Sequence, residues 1–258
     1  MSRASHACRV LLGAIALLAA AGARAWGNPH AAPHPPRVGV LLYGAGMMDG
    51  SEVQEAVLTL LALDRAGAQI VPIAPAGNQA EVVNHQTGAA VTGEQRNMLA
   101  ESARISHGKV VPLESVQPED LDALILPGGL GFVKSVTTFG KDGAAFGYDP
   151  ALGQLLTELH RQGKPLGFLC ITPVLAARLF GAEKPRLTIG PDAGMMALIE
   201  GMGARAVPAT AEEVVVDAEA RIVTSPAYMV GPSVSHVAVG ISQAVERVLE
   251  LVTAARHH

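Results

Sequence analysis

Short apolar runs that alternate with longer helical patterns restrict the fold of this chain more than any other feature. The apolar runs are followed by glycine, proline or cysteine and cover 38–43, 69–74, 121–126 and 166–169, with a shorter run at 109–113. The segments between and after them have helical lengths and end residues, with predicted bounds of 52–65, 94–105, 150–162, 173–180, 192–202 and 233–255. A hairpin is predicted from 214–216 and 221–224. This alternation predicts an α/β fold in which a mostly parallel sheet carries helices on both faces.

The composition favours such a sheet and gives no sign of a nucleic-acid partner. Aromatic residues are 3% of the 258 residues and charged residues 16%. The core volume must therefore come from Val, Leu, Ile and Ala, which parallel sheets prefer. The formal net charge is −4 at pH 7, without blocks of like charge. Because nucleic-acid-binding domains carry a basic patch or stripe, this chain is not predicted to bind nucleic acid.

Residues 1–25 have the pattern of a secretory signal peptide. Arg3 and Arg9 give a positive start, an apolar run covers 10–21, and Ala23-Arg24-Ala25 has the form of a cleavage site. The run is too short to span a bilayer, so the mature protein is predicted to be periplasmic and to have no membrane segment. An organelle transit peptide is the alternative, because it is also basic and free of acids. Residues 26–37 are predicted to be a flexible leader, and 38–256 a single domain.

A cysteine stands where a predicted strand meets a predicted helix. Cys8 lies in the targeting segment, which leaves Cys170 without a partner for an internal disulfide. Ligands of open α/β sheets bind at the carboxyl ends of the strands, where a sharp strand-to-helix turn exposes a nucleophile. The helix N-terminus is predicted to lower the pKa of the thiol below about 8.5. A buried structural cysteine is the alternative.

Two glycines follow another predicted strand, in the run Pro127-Gly128-Gly129. Glycine lets the backbone approach a ligand closely. The amide of Gly129, together with that of Ile171, is predicted to stabilise an oxyanion beside the Cys170 sulfur. A tight loop that needs positive φ angles is the alternative interpretation.

A carboxylate is expected at the same edge of the sheet. Glu52 and Glu55 both lie near the start of the first predicted helix, which follows a strand and so borders the same crevice. Acids in a first turn usually interact only with the helix dipole, and Glu52 fits that role, with Ser51 as the predicted N-cap. Glu55 lies one turn further along the helix and is the better candidate to reach the thiol.

Beyond these patterns, the chain resembles the ElbB-type glyoxalases of the class I glutamine amidotransferase-like superfamily, which have been linked to isoprenoid biosynthesis. The resemblance covers about residues 37–252. It is carried by Asp49-Gly50-Ser51-Glu52, Glu55 to Leu61, Asn84-His85, Arg96-Asn97, Ala103-Arg104-Ile105, Pro127-Gly128-Gly129, Gly163 to Phe168, Cys170-Ile171, Thr188-Ile189-Gly190, Val223-Thr224 and Pro226 to Met229.

This resemblance implies a flavodoxin-like sandwich and a lyase that converts glyoxal, with methylglyoxal as a second candidate, to the 2-hydroxy acid without glutathione or another cofactor. It implies that Cys170 is the nucleophile, Glu55 its carboxylate partner, and Gly129 and Ile171 the oxyanion amides. Because a carboxylate would raise the pKa of a neighbouring thiol, a protonated Glu55 that donates to the thiolate is expected. A homodimer is a candidate assembly.

The sequence departs from the family pattern at two places, since Ala45 stands where relatives often carry a second cysteine and Met48 where a tyrosine is usual. The rim of the crevice is therefore expected to be less polar than in relatives.

The histidines do not support a Cys-His-acid triad. After Cys170 the next histidine is His236, His160 is expected on the far end of its helix, and His85 has no clear partner. Amidotransferase or protease chemistry is therefore not predicted, and no cluster has the spacing of metal ligands. The alternative to an enzyme is a redox-sensing or binding module in which Cys170 reports peroxide.

Overall fold

A seven-stranded sheet forms the centre of the part of the protein, residues 34–256, that a computed structural model describes. The predicted targeting segment 1–25 and leader residues 26–33 lie outside the described residues. The strands of this part of the chain are β1 (Arg37–Leu41), β2 (Gln69–Ala74), β3 (Val83–Asn84), β4 (Ala89–Ala90), β5 (Val111–Pro112), β6 (Ala123–Leu126), β7 (Leu166–Leu169), β8 (Arg186–Leu187), β9 (Arg205–Ala206), β10 (Val215–Asp217) and β11 (Ile222–Ser225).

The helices of the same part are α1 (Val53–Arg65), α2 (Met98–Ile105), α3 (Phe139–Asp142), α4 (Pro150–Arg161), α5 (Pro173–Phe180), α6 (Ala193–Gly201) and α7 (Val234–Arg256). None of the helices within residues 34–256 has the length and apolar character that crossing a membrane requires.

The order of the strands in the central sheet is β10-β11-β7-β6-β1-β2-β5. Every pair is parallel except β10 with β11, which form the predicted antiparallel hairpin. All residues of β6, β7 and β11 are buried, as expected for strands covered on both faces. The predicted α/β fold of flavodoxin type is confirmed.

Two helix starts differ from the predicted bounds because side chains cap the helices at other positions. The N-cap of α1 is Glu52, whose carboxylate accepts the Glu55 N–H at 2.6 Å. Ser51 cannot take that role because its hydroxyl is buried and accepts the Tyr43 N–H at 2.8 Å. The helix predicted from residue 94 begins at Met98, where the Asn97 side chain accepts the Ala100 N–H. Residues 94–96, which were predicted to be helical, have no regular secondary structure, and Asn97 forms an isolated bridge with Asn78.

The segment between β6 and α4 has more structure than the sequence pattern indicated. A π-helical turn covers Phe132–Val136, and the short α3 follows it. The Thr137 hydroxyl ends this turn by donating to the Phe132 carbonyl at 3.0 Å. These elements stand beside the carboxyl end of β6, so they form a wall next to the loop that follows that strand.

Candidate active site

Four loops meet at one edge of the sheet because their strands are neighbours. The strands β11, β7, β6 and β1 are adjacent in that order and parallel, so the residues that follow them lie side by side. These loops contain Tyr228, Cys170, Gly129 and the start of α1. The chain reverses its winding direction between β6 and β1, which is where open α/β sheets bind ligands.

Cys170 sits in a strained turn between β7 and α5. Its φ angle is 60°, in the left-handed region that residues with a side chain rarely adopt. Its N–H donates to the Ser225 carbonyl at 3.0 Å. The buried Thr172 hydroxyl lies 3.0 Å from the Leu126 carbonyl and 2.8 Å from that of Leu169, so it ties this turn to the end of β6. The predicted nucleophile elbow is therefore present as a backbone geometry.

The two predicted oxyanion amides meet at the sulfur. The backbone N–H groups of Ile171 and Gly129 lie close enough to the Cys170 sulfur to lower the pKa of the thiol. Close packing makes glycine necessary in this loop. A Cβ on Gly129 would lie 2.4 Å from the Gly50 carbonyl oxygen and the Glu52 nitrogen, and φ there is 114°. The structure thus brings both amides to the place the sequence indicated, and their role in stabilising an oxyanion stays a prediction.

Glu55 is fully buried beside the thiol. One carboxylate oxygen accepts the Gly128 N–H at 2.7 Å, the other accepts the Tyr228 N–H at 3.1 Å, and the Cys170 thiol lies close enough to affect the pKa of the carboxyl. Burial raises the pKa of Glu55 to about 7, although the two backbone donors act in the opposite direction. Carboxyls with such a pKa change protonation state near neutral pH, as proton-transfer groups do.

The predicted low pKa of the thiol is wrong in sign. Burial raises the pKa of Cys170 well above its usual value, and the Glu55 carboxylate raises it further. The amides of Ile171 and Gly129 lower the pKa, but their effect is smaller. The resting pair therefore keeps its proton on the sulfur when Glu55 is ionised. The expected arrangement, a standing thiolate beside a protonated Glu55, is corrected accordingly.

Glu52 has a second role besides capping α1. Its side chain lines the cavity above Cys170, and partial burial raises its pKa. The helix-start function expected for it is confirmed by its bond to the Glu55 N–H.

A cavity of about 660 Å³ opens above the sulfur. Its apolar wall is formed by Met47, Leu130, Val133, Phe139, Ile171 and Met229. The remaining lining residues are Glu52, Gln54, Gly129, Cys170 and Tyr228. Met47 rather than Met48 belongs to this lining, although Met48 was the position noted in the sequence.

Tyr228 was not assigned a role from the sequence. Its N–H binds Glu55, and its hydroxyl donates to the Gln54 side chain at the cavity wall. The preceding residue, Ala227, has a φ of 44°, which turns this N–H towards the carboxylate. The signal that could have found Tyr228 is its place just after a strand, but only the strand order makes that strand a neighbour of β7.

The histidines are engaged elsewhere. His236 bonds to Ser233, and His160 to Glu183. His85 has clear partners after all, since one ring nitrogen lies 3.0 Å from the Val83 carbonyl and the other accepts the Met48 N–H at 3.1 Å. Within residues 34–256, no group of three or more His, Cys, Asp or Glu side chains is arranged to hold a metal ion.

The fold and the site together define an α/β protein of flavodoxin type whose candidate nucleophile is a cysteine. The human glutamine amidotransferase-like class 1 domain-containing protein 3, mitochondrial, is 38% identical over 230 residues, which cover 85% of each chain. The solved structure of an isoprenoid biosynthesis protein with an amidotransferase-like domain from Ehrlichia chaffeensis is 35% identical, with a TM-score of 0.78 over 84% of this chain and 99% of that one. The chain belongs to the class I glutamine amidotransferase-like superfamily, which includes the DJ-1/PfpI proteins.

A second solved structure shares the fold at a much lower identity. Glyoxalase III from Candida albicans matches 84% of this chain and 97% of its own with a TM-score of 0.53, but at 16% identity the likeness extends to the fold alone. No protein-family model matches the chain. The name of the human relative places that protein in mitochondria, in agreement with the transit-peptide alternative, and none of these comparisons supports periplasmic export.

Proposed function

We propose that this protein is an ElbB-type glyoxalase that converts glyoxal, and methylglyoxal as a second candidate, to the 2-hydroxy acid without glutathione. One observation carries the proposal, namely that a buried carboxyl whose pKa is about 7 lies beside a thiol, and that two backbone amides lie beside the same thiol. A base of that pKa, a nucleophile and two oxyanion donors are what an internal aldehyde oxidation–reduction requires.

In the first step the ionised Glu55 takes the proton of the Cys170 thiol while the sulfur adds to one aldehyde carbon. General-base assistance of this kind avoids a standing thiolate, which the raised pKa of Cys170 disfavours. The Gly129 and Ile171 amides hydrogen bond to the developing alkoxide. Glu55 returns the proton to this oxygen, which gives a hemithioacetal.

In the second step Glu55 removes the hydrogen from the carbon bound to sulfur, and an enediol forms. Return of that proton to the neighbouring carbon, with transfer of the hydroxyl proton of the sulfur-bound carbon to the neighbouring oxygen, gives an alcohol there and leaves a thioester at the sulfur-bound carbon. Water then cleaves the C–S bond and releases glycolate and the Cys170 thiol. The balance is one glyoxal and one water for one glycolate, so the cycle consumes no external oxidant or reductant.

The redox-sensing alternative is weaker on these observations. Peroxide reacts fastest with exposed thiols of low pKa. Cys170 is 9% exposed, and burial raises its pKa. Turnover of glyoxal by the purified protein separates the two functions, since a sensor or binding module would release no glycolate.

The deciding experiment compares two variants with the wild-type protein. Cys170→Ala is expected to lose both adduct formation and glycolate release. Glu55→Gln is expected to accumulate a covalent glyoxal adduct at Cys170 but to lose about 100- to 10,000-fold in glycolate formation, because the enediol step needs proton transfer. Mass spectrometry of the protein and a glycolate assay on the same samples separate these two effects.

Glu200→Gln is the matched control, because Glu200 is an exposed residue of α6 outside the cavity. It should turn over glyoxal as the wild-type protein does. Glu52→Gln is less suitable as a control because Glu52 lines the cavity and caps α1. Full turnover by Glu55→Gln would rule out the proposed role of this carboxylate.

We also propose that residues 1–25 direct the protein to an organelle, as the name of the human relative suggests for that protein. A fluorescent protein fused after residue 37 should reach mitochondria, and a fusion that begins at residue 38 should not. Assembly into a homodimer stays a prediction, for which light scattering of the purified protein is the test.

A further inference from the structure

We infer that this site prefers, over glyoxal, an uncharged 2-oxoaldehyde with a bulky apolar substituent, an aryl or branched alkyl group. This inference rests on the proposed function, because it takes the thiol chemistry as given and asks what fills the space beside it. Three observations support it, namely the size of the cavity, the chemistry of its wall and the absence of a cation among the described residues that line it.

The cavity is much larger than glyoxal. At a liquid volume of about 30 Å³ per water, glyoxal occupies about twice the volume of one water molecule, or about 60 Å³. It would fill about a tenth of the 660 Å³ above the sulfur. Sites for small molecules usually bury most of the surface of their ligand, so a substrate of this size would leave the cavity filled mainly with water.

Most of the side chains that line the cavity are apolar. Leu130, Val133 and Phe139 come from the segment that holds the π-helical turn and α3, while Met47, Ile171 and Met229 close the other sides. The polar lining side chains are Glu52, Gln54 and Tyr228, of which the last two hydrogen bond to each other. An apolar group gains free energy in proportion to the area that it buries against such a wall, whereas a second aldehyde group gains nothing there.

The charge of the lining excludes anionic substrates. No lysine or arginine is among the residues of the described chain that line this cavity, and Glu52 adds a carboxyl. Lys134, which follows Val133, is held elsewhere, since its ammonium group donates to the Met48 carbonyl and pairs with Glu81. A phosphate or carboxylate on the substrate would therefore lose its hydration without gaining a counter-ion.

The reaction is the one already written, with an apolar group R on the second carbon. The sulfur adds to the aldehyde of R–CO–CHO, the hydrogen of that carbon moves through the enediol to the carbon that bears R, and water releases R–CH(OH)–COOH. The aldehyde carbon is oxidised, the ketone carbon is reduced, and one water is consumed.

The experiment measures kcat/KM of the purified full-length protein for phenylglyoxal and for glyoxal. We expect phenylglyoxal to be preferred by about 10- to 100-fold, on the scale by which small apolar groups are discriminated in apolar pockets. Leu130→Asn, which keeps the size of the side chain and makes this part of the wall polar, should reduce that preference about tenfold. Leu61→Asn is the matched control, because Leu61 is an exposed residue of α1 outside the cavity, and it should leave the preference unchanged.

A second measurement needs no turnover and separates the two hypotheses. Acetophenone should slow the alkylation of Cys170 by iodoacetamide at least about tenfold more than acetone does at equal concentration, and Leu130→Asn should reduce this protection. Turnover of glyoxal at an equal or higher kcat/KM overturns the inference and leaves the proposed function standing. No turnover of either aldehyde, with selective protection by acetophenone, refutes the proposed function and supports the apolar selectivity of the cavity. Equal protection of Cys170 by acetophenone and acetone overturns the inference that the cavity prefers apolar groups.

Discussion

Replacement of Glu55 by glutamine should change the pH dependence of folding stability, because the fold raises the pKa of this carboxyl. Burial moves the pKa from its ordinary value of 4.5 to about 7. The folded protein therefore binds the Glu55 proton more tightly than the unfolded chain does. The stability that this proton provides is fully present below pH 4.5 and is lost as the pH rises through about 7. At about 1.4 kcal/mol per pKa unit, the loss amounts to about 3 kcal/mol.

Glutamine has no such proton, so its contribution to stability is flat over this range. It has one oxygen for two backbone donors, the Gly128 and Tyr228 N–H groups. The donor left without an acceptor costs about 1–3 kcal/mol at every pH. Glu55→Gln should therefore be less stable than the wild-type protein by about 1–3 kcal/mol near pH 4, and as stable or more stable near pH 8.

Urea unfolding of both proteins at the two pH values measures this difference. Titrating groups that do not interact with Glu55 contribute equally to both proteins and cancel, and the raised pKa of Cys170 keeps the thiol protonated over the range. Glu200→Gln, which removes an exposed carboxyl outside the site, is the control for the loss of one negative charge. If the free energies of unfolding of Glu55→Gln and the wild-type protein differ by the same amount at both pH values, the pKa of Glu55 is not raised by folding.

The remaining predictions concern the same site. The kcat/KM for glyoxal should rise with pH through about 7, because Glu55 must be ionised to accept the thiol proton; a flat profile from about pH 6 to 8 contradicts this role. Gly128→Ala should lower turnover about 100-fold, since its Cβ would lie 2.4 Å from the Cys170 Cβ and 2.9 Å from Glu55, whereas Gly201→Ala, with open space around it, should be silent. Thr172→Val should cost about 1–3 kcal/mol in urea unfolding, because the Leu126 carbonyl loses its hydroxyl donor, whereas the Leu169 carbonyl keeps the Thr172 N–H; Thr172→Ser should restore most of the lost stability.

Much of the fold could be predicted from local patterns in the sequence. The bounds of β7 and α5 agree with those read from the apolar run and the proline at the helix start. The first residues of the helices were harder to predict, because capping depends on which side chain is free to accept a backbone N–H. Ser51 and Glu52 are both reasonable caps by residue type, and only the contact of the Ser51 hydroxyl with the Tyr43 N–H decides between them.

The candidate site could be predicted only in part, because some of its contacts join residues that are distant in the sequence. Cys170, Gly129 and Glu55 each follow a strand that the sequence marks, and parallel strands bring such residues to one edge. The bond between Tyr228 and Glu55 joins positions 173 residues apart. No local periodicity contains that contact, because it exists only once β11 lies beside β7 in the sheet.

The sequence by itself determined the alternation of strands and helices, the turn that holds Cys170, and the glycines Gly128 and Gly129 whose backbone approaches this turn. Each of these features depends on residues that are neighbours along the chain. The tertiary structure alone decided the protonation of the site. Desolvation depends on everything packed around a group, and here it raises the pKa of both Cys170 and Glu55 by more than the nearby amides lower them. The same packing of distant segments shaped the apolar cavity above the thiol.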